Sequence, residues 1–300
     1  MQHDPREIDV VRHVYNDTNF AYEMRRMDEE SPVEYAITRR WLDRWVAAGA
    51  VVADIGVGVG HYALHLAHRT CQIHLVDIAD RLLQTAQIRL RDAGLQAAVC
   101  GVTMASATDL SVLPANTFDA VLLLGPLYHL CALEDRQRAV REAHRLLKPQ
   151  GVVFAAGINR LAYLRQMWLI APQVATAREA FHRRYLLDGN VDPAHVPPLG
   201  FAHLTTVAEF RALFLEAFTE ELVAGVESFT GHHQKQWHRL TEPERQAWLD
   251  LVDTTAATPE GLGAAEHLLF IGRKQSEDLV TSPPTAHMIA ESLSSAPQVS

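Results

Sequence analysis

The chain has 300 residues, 48% hydrophobic and 21% charged, with a formal net charge of −9. That composition supplies a sizeable apolar core, so no disulfide or metal staple is required. The acidic balance excludes the usual basic face of a nucleic-acid binder, since the pairs Arg25-Arg26, Arg39-Arg40 and Arg183-Arg184 are interspersed with acids.

Cys71, Cys100 and Cys131 have no paired spacing, which suits a reducing setting. The start lacks an apolar signal segment and no apolar run reaches about 18 residues. A cytoplasmic protein without membrane contact is expected.

Residues 1–48 read as helices without strands. Tyr35, Ile37, Trp41, Leu42 and Trp45 recur at helical spacing, and Gly49 stands where a helix C-cap would. From residue 49 the pattern alternates. Strands are expected at 51–56, 72–77, 97–102, 118–124 and 151–157, and helices at 62–69, 80–93 and 134–147. Such alternation implies βαβ units and a parallel sheet. Pro149-Gln150-Gly151 reads as a helix stop and a turn into the fifth strand.

After Gly157 the alternation breaks. Residues 160–188 read as two helices divided at Pro172, and 189–204 as a loop rich in Pro and Gly. Thr206 with Glu209, and Thr241 with Glu244, form capping-box patterns that open helices toward Phe218 and Thr254. Residues 219–226 and His267–Arg273 read as the last two strands. Residues 276–300 lack any period and are expected to be a disordered tail.

The first strand ends in Asp54-Ile55-Gly56-Val57-Gly58-Val59-Gly60, and the second in Val76-Asp77. Ligands bind at the carboxyl ends of strands in an open parallel sheet, and glycines there let a ligand approach the backbone. Asp77 at the neighbouring tip can accept hydrogen bonds from two ribose hydroxyls. The spacing is G-x-G-x-G, with His61 at the position of the last glycine of the dinucleotide pattern G-x-G-x-x-G, and no phosphate-cradling G-x-x-x-x-G-K-[ST] loop exists. The pattern points to a nucleoside cofactor other than a dinucleotide.

Taken with Phe118-Asp119-Ala120-Val121, Leu124-Gly125-Pro126-Leu127-Tyr128-His129-Leu130 and Arg145-Leu146-Leu147-Lys148-Pro149-Gln150-Gly151, these motifs resemble the class I S-adenosylmethionine-dependent methyltransferases over roughly residues 10–275. The Gly-Pro-Leu-Tyr-His-Leu segment is similar to a bacterial subgroup acting on small molecules. The resemblance implies an α/β, Rossmann-like, three-layer fold with a seven-stranded sheet whose last strand is antiparallel. An N-terminal helical lid (1–48) and a helical insertion after the fifth strand (about 160–205) would complete the domain at 49–275. It implies that Asp54, Gly56, Gly58 and Gly60 hold the methionine and ribose part of the cofactor and Asp77 the ribose. Ile78, Ser106, Ala107 and Gly125 would complete the cofactor site, with Ser106-Ala107 standing where the family commonly has Asp-Ala. Tyr15 and Arg26, with Tyr22 and Glu34, would close over it from the N-terminal helices, the alternative being simple packing onto the sheet.

Methyl transfer from a sulfonium is an in-line displacement, so alignment is the enzyme's main task, worth on the order of 7–11 kcal/mol. A general base is optional, adding roughly 10²–10⁴-fold when used. His129 is the candidate base, the alternative being a histidine that bonds the cofactor or shapes its loop. Tyr128 is a second candidate, the alternative being a packing ring. His203 is expected on an exposed loop, the alternative being entry into the acceptor pocket. His232, His233 and His238 lack a carboxylate or cysteine at ligand spacing, so no metal is expected. Tyr163, Met167, Trp168, Phe181 and Tyr185 read as core, with an acceptor-pocket wall as the alternative. A small, partly apolar methyl acceptor is the leading reading. A macromolecule (protein or RNA) methyltransferase, or an S-adenosylmethionine-binding protein that transfers no methyl group, are its competitors. Trp168 and its apolar neighbours would equally suit a homo-oligomer.

Overall fold

The computed structural model describes residues 5–231 and 234–275. The strands are β1 (Val51–Ile55), β2 (Gln72–Asp77), β3 (Val99–Met104), β4 (Phe118–Leu123), β5 (Leu147–Asn159), β6 (Asn190–Val191), β7 (Ala202–Thr205), β8 (Phe218–Gly225) and β9 (His267–Lys274). Seven of them form the main sheet, in the order β3-β2-β1-β4-β5-β9-β8. The first five run parallel. β9 runs antiparallel between β5 and β8, with Ile271 opposite Phe154 and Phe270 opposite Val223. This is the Rossmann-like α/β sheet expected, last strand included.

β1, β4 and most of β5 are near-continuous apolar runs because helices cover both faces of the sheet. On one face Ile37 and Trp41 of the Pro32–Trp45 helix, Leu66 of His61–His68, Leu83 of Asp80–Asp92 and Val252 of Glu242–Thr255 join one core. On the other, Val140 and Ala143 of Leu133–Leu146, Phe210 of Val207–Ala212 and Leu262 of Pro259–Ala264 join a second. Both capping boxes form, with reciprocal bonds between Thr206 and Glu209 and between Thr241 and Glu244.

Several local expectations are corrected. The helix preceding β1 ends at Trp45, and Gly49 lies in the following turn at φ +79°, so it is not the cap. Pro149-Gln150-Gly151 lies inside β5 rather than before it, as an irregularity in its pairing with β4 marked by a positive φ at Gln150. The segment after Pro172 forms two helices, Val174–Ala177 and Glu179–Asp188. The 189–204 stretch contains β6 and β7, an antiparallel pair. β7 also runs parallel to β5 at Ile158 and Asn159, beyond the point where β4 has ended. Strands of two and four residues are too short to show a period-2 pattern. Tyr163, Phe181 and Tyr185 pack with Val191 and Leu204 as a small core, whereas Trp168 is 75% exposed.

The N-terminal helices, Pro5–His13 and Phe20–Glu23, are each followed by a π-helical turn, Val14–Thr18 and Arg26–Glu30. They are tied to the end of β2. Arg12 Nε donates to the Ile78 carbonyl (3.1 Å), Asn16 Nδ2 donates to Asp80 Oδ1 (2.8 Å), and the Arg81 guanidinium lies 3.6 Å from the Phe20 ring centroid. The proposed tail at 276–300 and the pair His232-His233 lie outside the described residues.

Candidate active site

The glycine turn after β1 is built around the end of β2. Gly56 N (2.8 Å) and Val57 N (3.0 Å) both donate to the Val76 carbonyl, and Gly58 N donates to Asp77 Oδ2 (3.0 Å). Gly56, Gly58 and Gly60 have φ of +76°, +56° and +82°, a region that disfavours side chains. A Cβ on Gly56 would also stand 2.7 Å from Pro126 Cδ, so the turns after β1 and β4 touch through that absent side chain.

A cavity of about 1060 Å³, counted out to its solvent mouth, opens over these strand ends. Asp54, Gly56 and Gly58 line it from β1, and Asp77 and Ile78 from β2. Ser106 and Ala107 line it after β3, and Gly125, Tyr128 and His129 after β4. Tyr15, Glu23 and Arg26 close it from the N-terminal segment, both Tyr15 and Arg26 lying in the π-helical turns. Of the residues expected at the cofactor site, Tyr22, Glu34 and Gly60 do not line this cavity, whereas the others do. Gly60 has another place. That glycine caps the His61–His68 helix, and a Cβ there would stand 3.0 Å from Ala86 Cβ, so its role is packing of one helix against another.

Two carboxylates are buried at the cavity floor. Asp77 accepts from Gly58 N and, through Oδ1, from Ala79 N (2.9 Å); burial nevertheless pushes its pKa up to about 6. Asp54 is only 3% exposed, and its Oδ2 has no hydrogen-bond partner. Burial, and then the charge of Asp77, pushes Asp54 up to about 7. A buried acceptor left unpaired is rare and costs about 1–3 kcal/mol, so the floor is suited to a donor brought by a ligand. Ser106 turns its hydroxyl to Thr108 Oγ1 (2.9 Å).

Tyr15 and His129 meet edge to face, and the Tyr15 hydroxyl lies 2.7 Å from His129 Nε2. His129 Nδ1 lies 3.1 Å from the Phe201 carbonyl, which only accepts. Nδ1 therefore carries the proton, and Nε2 accepts from Tyr15. Burial lowers His129 to about 4 and raises Tyr15 well above its ordinary value, so both are neutral. Burial likewise raises Tyr128, whose ring lies edge-on to His129.

Behind Arg26 stands a charge cluster that the sequence reading did not assemble. Arg26 Nη2 bonds both oxygens of Glu34 (2.9 and 2.7 Å). Glu34 Oε2 lies 3.5 Å from His267 Nδ1, and His267 Nδ1 lies 2.5 Å from Glu227 Oε1. Burial pulls His267 down, but Glu34 and Glu227 outweigh it and hold it up at about 9. Burial pulls Arg26 down too, yet Glu34 and Glu23 keep it well above its ordinary value. Two cations thus balance two carboxylates. Glu34, Glu227 and His267 also offer ligand atoms within 4.8 Å of one another, but these atoms are engaged in this ion-pair chain. Glu227 and His267 come from the far end of the chain, and no local motif signals them.

His203 is buried on β7, 6% exposed, and not on an exposed loop as expected. His238 Nε2 lies 3.2 Å from the Glu29 carbonyl.

Residues 53–155 match the family model described as a methyltransferase domain. The segment around it is 32% identical over 121 residues to the ubiquinone biosynthesis O-methyltransferase of Pseudomonas syringae pv. tomato, covering 40% of this chain and 50% of that protein. The chain therefore matches about half the length of that curated relative. Solved structures with this fold include the magnesium protoporphyrin IX methyltransferase of Synechocystis PCC 6803 with bound SAH (TM-score 0.55, 14% identity, 90% of this chain and 100% of that one). A possible histamine N-methyltransferase from Thermotoga maritima is similar to the same degree (TM-score 0.55, 19% identity, 88% and 100%). Among the described residues no helix is long and apolar enough to cross a membrane.

Proposed function

We propose that the chain is an S-adenosylmethionine-dependent methyltransferase acting on a small molecule. The observation that carries this reading is the pair of buried carboxylates, Asp54 and Asp77, under an open glycine turn. Neither forms an ion pair with a described residue, and burial holds both protons more tightly than usual. Such a floor repels phosphates and favours a ligand that carries positive charge and vicinal hydroxyls. S-adenosylmethionine has both, and its bound sulfonium supplies an activated methyl carbon. Asp77, with Gly58 and Ala79 already on its carboxylate, would hold the ribose, and Asp54 would receive a donor near the methionine end. Arg26 would face the carboxylate of the same moiety, Ile78, Ser106 and Ala107 would surround the base, and Gly125 would leave room beside the glycine turn.

His129 and Tyr15 act as one unit in this reading. Tyr15 remains a phenol because burial raises it, and its donated hydrogen bond leaves the oxygen lone pairs for an acceptor in the cavity. An acceptor hydroxyl or amine would pass its proton to the Tyr15 oxygen as the phenol proton moves to His129 Nε2. The Phe201 carbonyl holds the His129 ring in the required tautomer. Tyr128 walls the passage and is not needed as an acid.

Calorimetry with S-adenosylhomocysteine, S-adenosylmethionine and NADH tests the assignment. Binding of the two sulfur nucleosides without NADH is expected, and preference for NADH would overturn it. Transfer of a labelled methyl group to a metabolite panel then separates an enzyme from a mere cofactor binder.

A further inference from the structure

Behind the Pro126–His129 turn lies a second cavity of about 920 Å³, counted in the same way. Tyr128 lines both cavities, which adjoin at its ring. Its apolar wall comes from Leu127, Leu133, Phe210 and Leu213. Its polar wall holds Arg136, Asp188, His203 and Glu209.

One charged group of that wall lacks a partner of opposite charge. Glu209 is neutralised by Arg160, whose Nη2 lies 2.5 Å away and whose side chain is 7% exposed. Asp188 accepts from Asn190 N (2.8 Å) and lies 3.7 Å from Arg184 Nε, an arginine it shares with Asp192 (3.3 Å). His203 is held neutral, pushed down to about 3 by burial and then by the positive charges of Arg136 and Arg160. Arg136 is the remainder. Its Nη1 donates to the carbonyls of Leu130 (2.6 Å) and Cys131 (2.8 Å), and no carboxylate among the described residues pairs with it. Burial lowers its pKa, the mark of a desolvated guanidinium without adequate compensation.

We propose that this cavity holds the apolar, carboxylate-bearing end of the methyl acceptor, with Arg136 recognising the carboxylate and the accepting atom reaching past Tyr128 into the first cavity. Arg136, whose Nη1 bonds only backbone carbonyls and which has no carboxylate partner among the described residues, can pair with one negative charge. A phosphate dianion would meet Asp188 and Glu209 with a charge the wall does not balance. The four apolar side chains take the body of the molecule, and Tyr128 lies between that body and the first cavity. The role as acceptor rests on the methyltransferase reading, whereas the carboxylate site itself does not.

The test titrates benzoate, phenylacetate and hexanoate, and their amides, into the full chain, both alone and saturated with S-adenosylhomocysteine. The carboxylates should bind in both states, and the amides roughly ten- to a hundred-fold more weakly, the range of a lost charge-assisted hydrogen bond. Arg136→Gln should weaken the carboxylates by a similar factor. Leu213→Trp, which fills the cavity from the opposite wall, should abolish binding while leaving Arg136 in place. Neither variant should shift S-adenosylhomocysteine affinity. The proposal is overturned if no carboxylate binds, if the amides bind equally well, or if both variants bind like the parent. Carboxylate binding in a chain that fails to bind S-adenosylhomocysteine would instead remove the methyltransferase reading and leave the carboxylate site standing.

Discussion

His267→Gln isolates the energetic contribution of the cluster that backs Arg26. In the folded chain His267 faces Glu34 and Glu227, with Arg26 beyond Glu34, and titrates at about 9 against 6.5 for a free histidine. The raised value means the folded state binds the proton more tightly than the unfolded state. The stabilisation is therefore complete below the unfolded pKa and is lost as pH rises through the folded one. A shift from 6.5 to about 9 corresponds to about 3 kcal/mol at 1.36 kcal/mol per unit. Glutamine keeps a donor for Glu227 but leaves two buried carboxylates with one cation, a loss of about 3–5 kcal/mol at neutral pH. Urea denaturation of parent and variant at intervals from pH 6 to pH 10 measures the difference. The gap should be widest near pH 6 and should shrink by about 3 kcal/mol toward pH 10. Parallel stability curves across that range would refute the charged state assigned to His267 and the account of the cluster with it.

Other outcomes follow from the cavity floor. Asp54 titrates at about 7 in the free chain, so binding a cationic sulfur nucleoside should release a proton between pH 6 and 7.5; binding heats independent of buffer ionisation enthalpy at pH 6.5 would contradict this. Asp77→Ala leaves Gly58 N and Ala79 N unpaired. It should lower stability by about 1–3 kcal/mol per group and weaken S-adenosylhomocysteine at least ten-fold, both readable from thermal shifts and calorimetry. Gly56→Ala combines a positive φ with a Cβ 2.7 Å from Pro126 and should displace the Pro126–His129 turn, abolishing nucleoside binding; a variant that still binds normally would show that the two turns need not touch. Nitrogen-15 spectra of the imidazoles should show His129 as the neutral Nδ1–H tautomer at pH 6. Tyr15→Phe should perturb Nε2 while leaving Nδ1 bonded to Phe201, and an unperturbed Nε2 would remove the Tyr15 contact from the mechanism.

Much of the candidate site was legible because its residues sit at strand ends, where an apolar run, a glycine turn and an acid are contiguous in the chain. Asp54, Gly56, Gly58 and Asp77 are positioned by one βαβ unit, and local backbone geometry suffices to place them around one cavity. Gly60 shows the limit of that logic. Its positive φ is as local as that of Gly56, but the side chain it makes room for belongs to Ala86, on another helix. His203 shows the limit again, since the short strand that buries it exists only because β5 outruns β4 and offers a free edge.

The sequence by itself determined the alternation that makes a parallel sheet, the capped helices and the glycine turn over Asp77. Each depends on neighbours within a few residues or on a repeating hydrophobic period. Tertiary structure alone decided which charges are compensated. Glu34 and His267 are 233 positions apart in the numbering, yet their side chains approach to 3.5 Å. Tyr15 and His129 are 114 positions apart yet meet at 2.7 Å, and Arg136 is left without a carboxylate among the described residues while Arg160 has one. Burial and pairing set the protonation of Asp54, His129 and His267, and neither is encoded in a local pattern. The glycine turn identifies what kind of cofactor the chain is built to hold, and the charge pairing around it determines what that cofactor meets.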